Sequence, residues 1–550
     1  NTISNSLTLY QQQVSRHDFL YQPHRCTLVY FSKMHPFTPF FVIAAIIAIA
    51  IRWMNKTDIP KIKNLPELPG VPLFGSLFLL GKHHARNCAR LAKTYGDVFQ
   101  VRLGNRRFIY ANSFEGVKEL WIKNQAALIS RPTFWTFHNV VSKTQGVYTL
   151  GTSPWNESVK RARKAAATAL NRQAVQTYLP FIDLESTTSI NELVQNIKNG
   201  YDVDPNGYFQ RFSLNISLTL CYGIRIDGTV RDHTLNEVVQ VERELGNIRG
   251  IAHNWQDYVP LLRLWPGFKT NAIKFRSRRD EYILDFYEQL KQRIAAGTDN
   301  PCIAGNVLKN PEAKLEDNEL KSICLTMVAA GLDTLPGNIN MTIAYLSSPH
   351  GQEIQDHMYE EILKAYPNED PWDACLTEER CEFVVSFIKE VLRFWSTLNL
   401  SFNRQSIRDI TYKGATIPAG TPFLMNMWAA NHDPKQFHHP MDFIPDRFVG
   451  VSEAGQGTQH YGYGAGTRMC AGAHLANREL YVIFIRLVLA FHIRETTHVK
   501  DRPILDTIEC NSVPTSMVTQ PKPFKVRFIP RNQQQLEKWI ASSKEKTAYL

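Results

Sequence analysis

The chain has 550 residues, 44% of them apolar and 21% charged, the composition of an ordinary globular protein. Lys and Arg outnumber Asp and Glu by 62 to 51, a net charge of +11; the basic residues are scattered, with no zinc-finger spacing and no long Lys/Arg block, which argues against nucleic acid and leaves an anionic membrane surface or an acidic protein partner. Nine cysteines, an odd number mostly far apart in apolar stretches, exclude a disulfide framework and point to a reducing compartment.

Residues 1–33 are polar and aperiodic and precede Met34. They are expected to be an unstructured extension or a gene-model artefact, with Met34 as the initiator. Residues 34–54 are expected to form an N-terminal transmembrane anchor. No charge interrupts 37–51 before Arg52 and Trp53. The run is short against the ~20 residues of a full span, so a thinned bilayer, or Trp53 and Met54 at the interface, would make up the difference. A cleaved signal peptide is the other reading, but no small-residue cleavage site follows. Lys56, Lys61 and Lys63 come instead, as on a cytoplasmic flank. In 55–75, Pro66, Pro69 and Pro72 recur every third residue and predict a stiff extended linker that sets the body at a fixed tilt over the membrane.

Residues 76–530 show no repeat, no low-complexity tract and no second proline-rich break, so one large domain is expected, with 531–550 as a C-terminal tail. Alternation predicts strands at 98–103 and 106–111 around a tight turn at Gly104-Asn105, and short strands near 410–412 and 421–425. Helical spacing predicts a helix over 320–346, roughly 40 Å long at 1.5 Å per residue, before a Ser348-Pro349 start signal. A second helix is expected over 377–395, with Val384, Phe387, Ile388, Val391, Leu392 and Trp395 on one face. A third begins just after Cys470, where Leu480, Ile483, Phe484, Leu487 and Phe491 repeat. The fold class is mainly α with small β-sheets.

The segment YGAGTRMCAG, 463–472, carries the strongest chemical signal. Gly464 and Gly466 let the backbone turn tightly and approach a flat group. Cys470 sits where a loop meets the start of an apolar helix, and backbone N–H groups there favour a thiolate. Read alone, the segment is also compatible with a Gly-rich turn around a buried cysteine. Glu390 and Arg393 stand at i, i+3 on the second helix, which by itself is an ordinary ion pair. FIPDRF, 443–448, reads as a loop carrying Arg447. AGLDT, 330–334, lies midway along the longest helix with Pro336 just after it. Proline cannot donate to the Leu332 carbonyl, so a kink and a polar groove are expected there; close packing is the bland explanation of Gly331 and Thr334.

Taken together these segments resemble the signatures of the cytochromes P450, over roughly 65–530. RKAAATALNR (163–172), NWQDYVPLL (254–262), KSICLTMVAAGLDTLPG (321–337) and GAGTRMCAGAHLANREL (464–480) are similar to the fungal phenylacetate hydroxylase branch, whose members hydroxylate the ring of phenylacetate or hydroxyphenylacetates. The resemblance implies the P450 fold, heme b (iron protoporphyrin IX) and Cys470 as the axial iron ligand. Tyr463 stands where the signature usually opens on Phe, keeping a ring near the sulfur but adding a hydroxyl. Arg468, Trp155 and Arg404 are implied at the heme propionates. Val159 replaces the usual Arg after Trp155, and Lys160 or Arg161 is left as its substitute. The same run, Lys160, Arg161, Arg163 and Lys164, is alternatively a basic face for an acidic flavoprotein. Gly331 is implied to remove bulk over the heme, and Asp333 and Thr334 to relay protons to iron-bound O2. Glu390, Arg393 and Arg447 are implied to form a buried structural triad.

The implied activity is ring hydroxylation of a small aromatic substrate. Electrons would come from NADPH through a separate NADPH–cytochrome P450 reductase, at the endoplasmic reticulum membrane, single-pass, with the catalytic domain cytoplasmic. Between the second helix and Arg404 the chain departs from the branch: Asn399, Ser401 and Asn403 make this wall more polar. That keeps open a secondary-metabolite tailoring enzyme acting on a polyketide-derived phenol. Phe134, Trp135, Phe137 and His138 are candidates for the opposite wall, or for core. A heme-thiolate isomerase or dehydratase, and a non-catalytic heme sensor, would have no need of the Asp333-Thr334 pair.

Overall fold

The computed structural model describes residues 38–142, 149–197, 202–251, 254–265, 267–310, 314–451 and 459–550. The chain divides after Trp53 into an N-terminal unit and a body from Met54 to Leu550. The expectation for residues 1–33 lies outside the described residues.

Helix α1, Thr38–Met54, follows from the uninterrupted run of apolar helix formers. Phe40, Phe41, Ile43, Ile46, Ile47 and Ile49 on it are all exposed. Its 17 residues reach about 26 Å, short of the ~30 Å hydrocarbon core. Among the described residues no helix is long and apolar enough to cross a membrane. The expected single-pass transmembrane helix is therefore not supported: the run forms, but it ends at Arg52 and Trp53 before reaching spanning length.

The proline-rich stretch is not a free spacer. Buried Gln100 accepts from the Ile62 N–H (2.9 Å) and donates to the carbonyls of Ile62 and Leu65 (both 2.7 Å). Leu68 N donates to the Gln100 carbonyl and Gln100 N to that of Pro66. Ile62, Leu65 and Leu68 are buried. Prolines remove donors, and one buried amide in the neighbouring strand satisfies three of the backbone groups that remain.

Strands β1 (Val98–Leu103) and β2 (Arg106–Ala111) have the bounds that alternation predicts. At their turn Gly104 has φ +57°, and a methyl group there would come within 2.0 Å of the Tyr258 carbonyl oxygen. Four further short strands follow: β3 (Arg404–Gln405), β4 (Ile410–Tyr412), β5 (Ala415–Ile417) and β6 (Pro422–Met425). One sheet runs β1-β2-β6-β3, with β2 parallel to β6 and the other pairs antiparallel. β4 and β5 make a separate ribbon, as do β7 (Phe491–Glu495) and β8 (Val526–Pro530).

The helices that place the site are α2 (Glu157–Ala169), α3 (Leu179–Ile197), α4 (Asn206–Tyr222), α5 (His233–Ile248), α6 (Gly267–Ala296), α7 (Asp317–Ser347), α8 (Glu382–Trp395) and α9 (Ala473–Ala490). α7 is opened by a capping box between Glu316 and Glu319 and runs unbroken through Pro336. It packs along α4 at the centre of the body. α8 starts at Glu382, not at 377, because 375–380 are turn and loop. From Arg478 to Ala490 every residue of α9 is buried.

The expected tail at 531–550 carries a docked helix, α10 (Gln533–Lys546), capped by Asn532. Its Trp539 stacks on buried Trp372 at 5.0 Å and 7°. The Trp372 indole N–H donates to Ser543 Oγ (3.1 Å). Leu536 and Ile540 are buried beside α3. Their i, i+4 spacing is helical, but one such pair is too short a pattern to separate from loop in sequence.

Candidate active site

Two left-handed glycines shape the cysteine loop. Gly464 has φ +75° and Gly466 φ +66°, and a methyl group on Gly466 would sit 2.4 Å from the Trp121 carbonyl oxygen. The loop closes on itself: Gly464 N donates to Tyr461 O (2.8 Å), Met469 N to Gly466 O (3.0 Å) and Cys470 N to Tyr463 O (2.9 Å). Among the described residues Cys470 is the only exposed cysteine; every other is buried. It lies in a recess, so surrounding protein raises its pKa, while the Gly472 backbone N–H and Arg163 pull it down less strongly. A free thiol there is mainly neutral, and a metal would be needed to hold it as thiolate. The Tyr463 hydroxyl donates to Asn477 Oδ1 of α9 (2.5 Å), which occupies the extra hydroxyl within the protein.

Beside this loop stand Arg131, Arg163, Arg404 and Arg468. Arg131 Nη1 donates to the carbonyls of Phe402 (2.6 Å) and Asn403 (2.8 Å). Arg404 Nη2 donates to Ala465 O (3.0 Å). Arg468 reaches Ile129 O (2.9 Å), Leu150 O (2.8 Å) and Ser153 O (3.2 Å), and its guanidinium lies 5.8 Å from the Trp155 ring centre. The Trp155 backbone N–H donates in turn to Ser130 Oγ (3.0 Å). Burial and mutual repulsion hold Arg131 and Arg404 well below the usual arginine range, and Arg468 is lowered to about 9. Among the described residues Arg131 Nε, Arg404 Nη1 and Arg468 Nε have no hydrogen-bond partner. Among the described residues none of the four pairs with a carboxylate. Buried cations with orphaned donors are costly unless an anion joins them. This donor set fits a group with two carboxylates lying next to Cys470, which is what the propionates of heme supply. No cluster of His, Cys, Asp or Glu among the described residues would hold a bare metal ion.

Arg131 and Arg163 carry a different part of this cluster from the one expected. Lys160 pairs with Glu157, and Arg161 with Glu319 (2.6 Å) and Glu316, so neither turns inward. Arg163, one helical turn on from Lys160, reaches the carbonyls of Thr467 (3.3 Å) and Met469 (3.4 Å). The run therefore does not present four free cations on one surface. Arg131 escaped sequence reasoning because Ser130-Arg131-Pro132 has no local feature beyond an X-Pro turn.

On α7, Thr334 Oγ1 donates to Ala330 O (2.8 Å), and Ala330 is exposed in mid-helix, opposite the buried Leu332 and Leu335. Gly331 faces elsewhere. A methyl group there would meet Ser217 Oγ at 2.9 Å and Ser213 Oγ at 3.3 Å on α4, and Ser213 Oγ donates to Gly331 O (2.8 Å). The expected clearance over a cofactor is thus corrected: the missing side chain lets α7 and α4 approach. Pro336 does not break the helix, and Asn338 Nδ2 caps the Thr334 carbonyl (2.8 Å). Asp333 points at α5, with Oδ2 3.9 Å from where a methyl on Gly246 would lie. Burial raises its pKa to about 6, partly offset by Arg243 and Arg249 and reinforced by Glu242.

Glu390, Arg393 and Arg447 come together. Arg393 binds Glu390 bidentately (both 2.7 Å), and Arg447 Nε adds 3.0 Å. Glu390 also accepts from Ile444 N (2.9 Å). Arg393 donates further to the carbonyls of Asn431, Pro440 and Asp442, and Arg447 to those of His438, His439 and Asp442. Glu390 and Arg393 are fully buried. The triad ties α8 to the 431–447 segment.

A small cavity is lined by Phe134, Phe137, His138, Tyr258, Phe402 and Asn403, together with Arg131 and Arg249. Trp135 is not on it; its ring carries Arg263 and Lys269. Asn399 and Ser401 line an adjoining cavity with His83, His84 and Asn511. Of the polar wall, Asn403 borders both.

A protein-family model described as Cytochrome P450 matches residues 65–528. The chain is 56% identical over 507 residues to Phenylacetate 2-hydroxylase of Emericella nidulans, covering 92% of this chain and 98% of that protein. It is 41% identical over 468 residues to 3-hydroxyphenylacetate 6-hydroxylase of the same organism, covering 84% and 88%.

Proposed function

The chain belongs to the cytochrome P450 family, and from that membership we propose that it is the monooxygenase that inserts one oxygen atom of O2 into the ring of phenylacetate or a hydroxyphenylacetate. Electrons come from NADPH through a separate NADPH–cytochrome P450 reductase. The observation that carries the substrate reading is the cavity at Arg131, walled by aromatic side chains and adjoining the arginine cluster that fits the cofactor. The substrates named for the two relatives are small arylacetates.

When bound, heme supplies the iron centre at which O2 is activated. Cys470 supplies the thiolate, on the loop that Tyr463, Gly464 and Gly466 shape. Arg131, Arg404 and Arg468 would hold the propionates, with Trp155 bracing Arg468 and Arg163 lending positive charge beside the sulfur. Thr334 turns its hydroxyl from the Ala330 carbonyl to hold a proton in the crevice, and Asp333 exchanges protons behind it. The aromatic walls hold the ring and keep out water. Attachment to the endoplasmic reticulum membrane is through the exposed Phe and Ile side chains of α1.

The test is turnover in membranes with a fungal reductase and NADPH, products read by mass. Phenylacetate, 2- and 3-hydroxyphenylacetate and a set of methylated phenols and resorcylic acids form the panel. Ring hydroxylation of a phenylacetate is expected. Turnover of the phenols alone would overturn the reading in favour of a tailoring oxidase, the alternative that Asn403 and its polar neighbours favour.

A further inference from the structure

We infer that Arg249 is the anchor for the substrate's carboxylate and so decides that this enzyme takes arylacetates rather than neutral aromatics. The inference deepens the proposed function and rests on it for the identity of the ligand.

Arg249 follows the last residue of α5, where the helix's free carbonyls favour a cation. Its guanidinium lies 4.6 Å from the centre of the Phe137 ring, stacked as arginine prefers on an aromatic face. Among the described residues its Nε and Nη2 have no hydrogen-bond partner, although both are shielded from solvent. Leaving charged donors unsatisfied is costly, and the cavity they border has an aromatic lining. A flat ring with a carboxylate on a one-carbon arm answers both features: the ring packs on the aromatic lining, and the carboxylate takes the guanidinium edge.

Asp333 and Glu242 both attract Arg249 electrostatically, yet neither makes an ion pair with it among the described residues. Arg131 is held by two carbonyls and belongs to the cofactor cluster. Asp257, on the same cavity, accepts from the Thr136 N–H (2.7 Å) and hydroxyl (2.9 Å), turning its charge away. Glu242, which attracts Arg249 electrostatically, accepts from the Tyr282 hydroxyl (2.7 Å). Gly250 closes the site. A side chain there would strike the Thr515 carbonyl at 2.2 Å, so its absence lets the loop carrying Met517 lie over the anchor.

The test is spectral titration of the purified holoenzyme with phenylacetate and its uncharged analogue phenylacetamide, comparing wild type, R249Q and R249K. The CO-difference spectrum and phenylacetamide affinity report the integrity of each variant. R249Q should weaken phenylacetate about 10- to 100-fold, the range for losing a charge-assisted pair, and move phenylacetamide less than about threefold. R249K, keeping the charge but not the fork, should fall between. Unchanged phenylacetate affinity in R249Q would overturn the anchor while leaving ring hydroxylation standing. A wild type that neither binds nor turns over phenylacetate would overturn the proposed function and the anchor with it. Parallel weakening of both ligands would show Arg249 to be a packing residue and equally refute the assignment.

Discussion

Replacing Glu390 by alanine removes the one carboxylate shared by Arg393 and Arg447. It leaves Arg393 with no exposed surface and Arg447 with about a tenth of its side chain in solvent. The hydrogen bonds lost are two at 2.7 Å from Arg393, one at 3.0 Å from Arg447 and one at 2.9 Å from the Ile444 N–H. The remaining donors of both arginines keep their backbone carbonyls, so the loss is concentrated on uncompensated charge. Breaking a buried pair by removing one partner costs roughly 3–5 kcal/mol. At about 2.1 cal/mol/K per residue, a body of roughly 500 residues has an unfolding entropy near 1 kcal/mol/K, which turns that loss into a fall in Tm of about 3–5 °C. Because the triad ties α8 to the 431–447 segment, heme retention is expected to fall as well. The assay is thermal unfolding alongside the CO-difference spectrum of Glu390→Ala, with Glu390→Gln as the shape-conserving control. The double variant Glu390→Ala/Arg393→Ala should lose less than the sum of the singles, since the fully buried one of the two orphaned charges is gone. A Glu390→Ala protein that retains heme and melts within 1 °C of wild type would refute the reasoning.

Cys470→Ala should abolish turnover and the thiolate signature of the CO-difference spectrum, while folding of the body is probed by far-ultraviolet dichroism; normal monooxygenase activity would remove Cys470 from the iron. Thr334→Ala should retain heme and substrate binding but divert NADPH electrons to peroxide, and coupling as tight as wild type would exclude the hydroxyl from proton delivery. Asp333 has a pKa raised to about 6, so it is carboxylate above that pH and acid below it. Turnover should show an inflection near pH 6 that Asp333→Asn removes. On stability the sign is opposite to that of a paired carboxylate. The folded state binds the Asp333 proton more tightly than the unfolded chain does, so wild type loses stability as pH rises from about 4 to 6, and Asp333→Asn should flatten that limb. A limb equally steep in the variant would show that another group causes it.

Several features were readable because the contacts that define them are local. The cysteine loop lies within ten residues of chain, and its two left-handed turns need glycine in any tertiary setting. Glu390 and Arg393 face one another because three residues is nearly one helical turn. Strands β1 and β2 kept their expected bounds because alternation and a Gly-Asn turn specify a hairpin without outside help. The same local logic misjudged features whose partners are remote. The proline-rich stretch reads as a spacer until buried Gln100 captures its backbone. The run 531–550 reads as a tail until Trp372, some 170 residues earlier in the chain, stacks on Trp539.

The amino-acid order by itself determined the mainly helical class, the glycine-shaped loop that presents Cys470 and the pair that Arg447 joins, since each depends on spacing within a turn or a loop. Only the tertiary structure decided which arginines gather beside Cys470, that Gly331 serves the α7–α4 contact, that Asp333 and Thr334 look in different directions from neighbouring positions, and that Arg249 brings to an aromatic cavity two donors without a partner among the described residues. Each of these is set by which helix packs against which. A guanidinium's partners can lie on elements hundreds of residues apart, as Arg131 and Arg404 do, and no pattern within one segment encodes the charges that another segment will bring beside it.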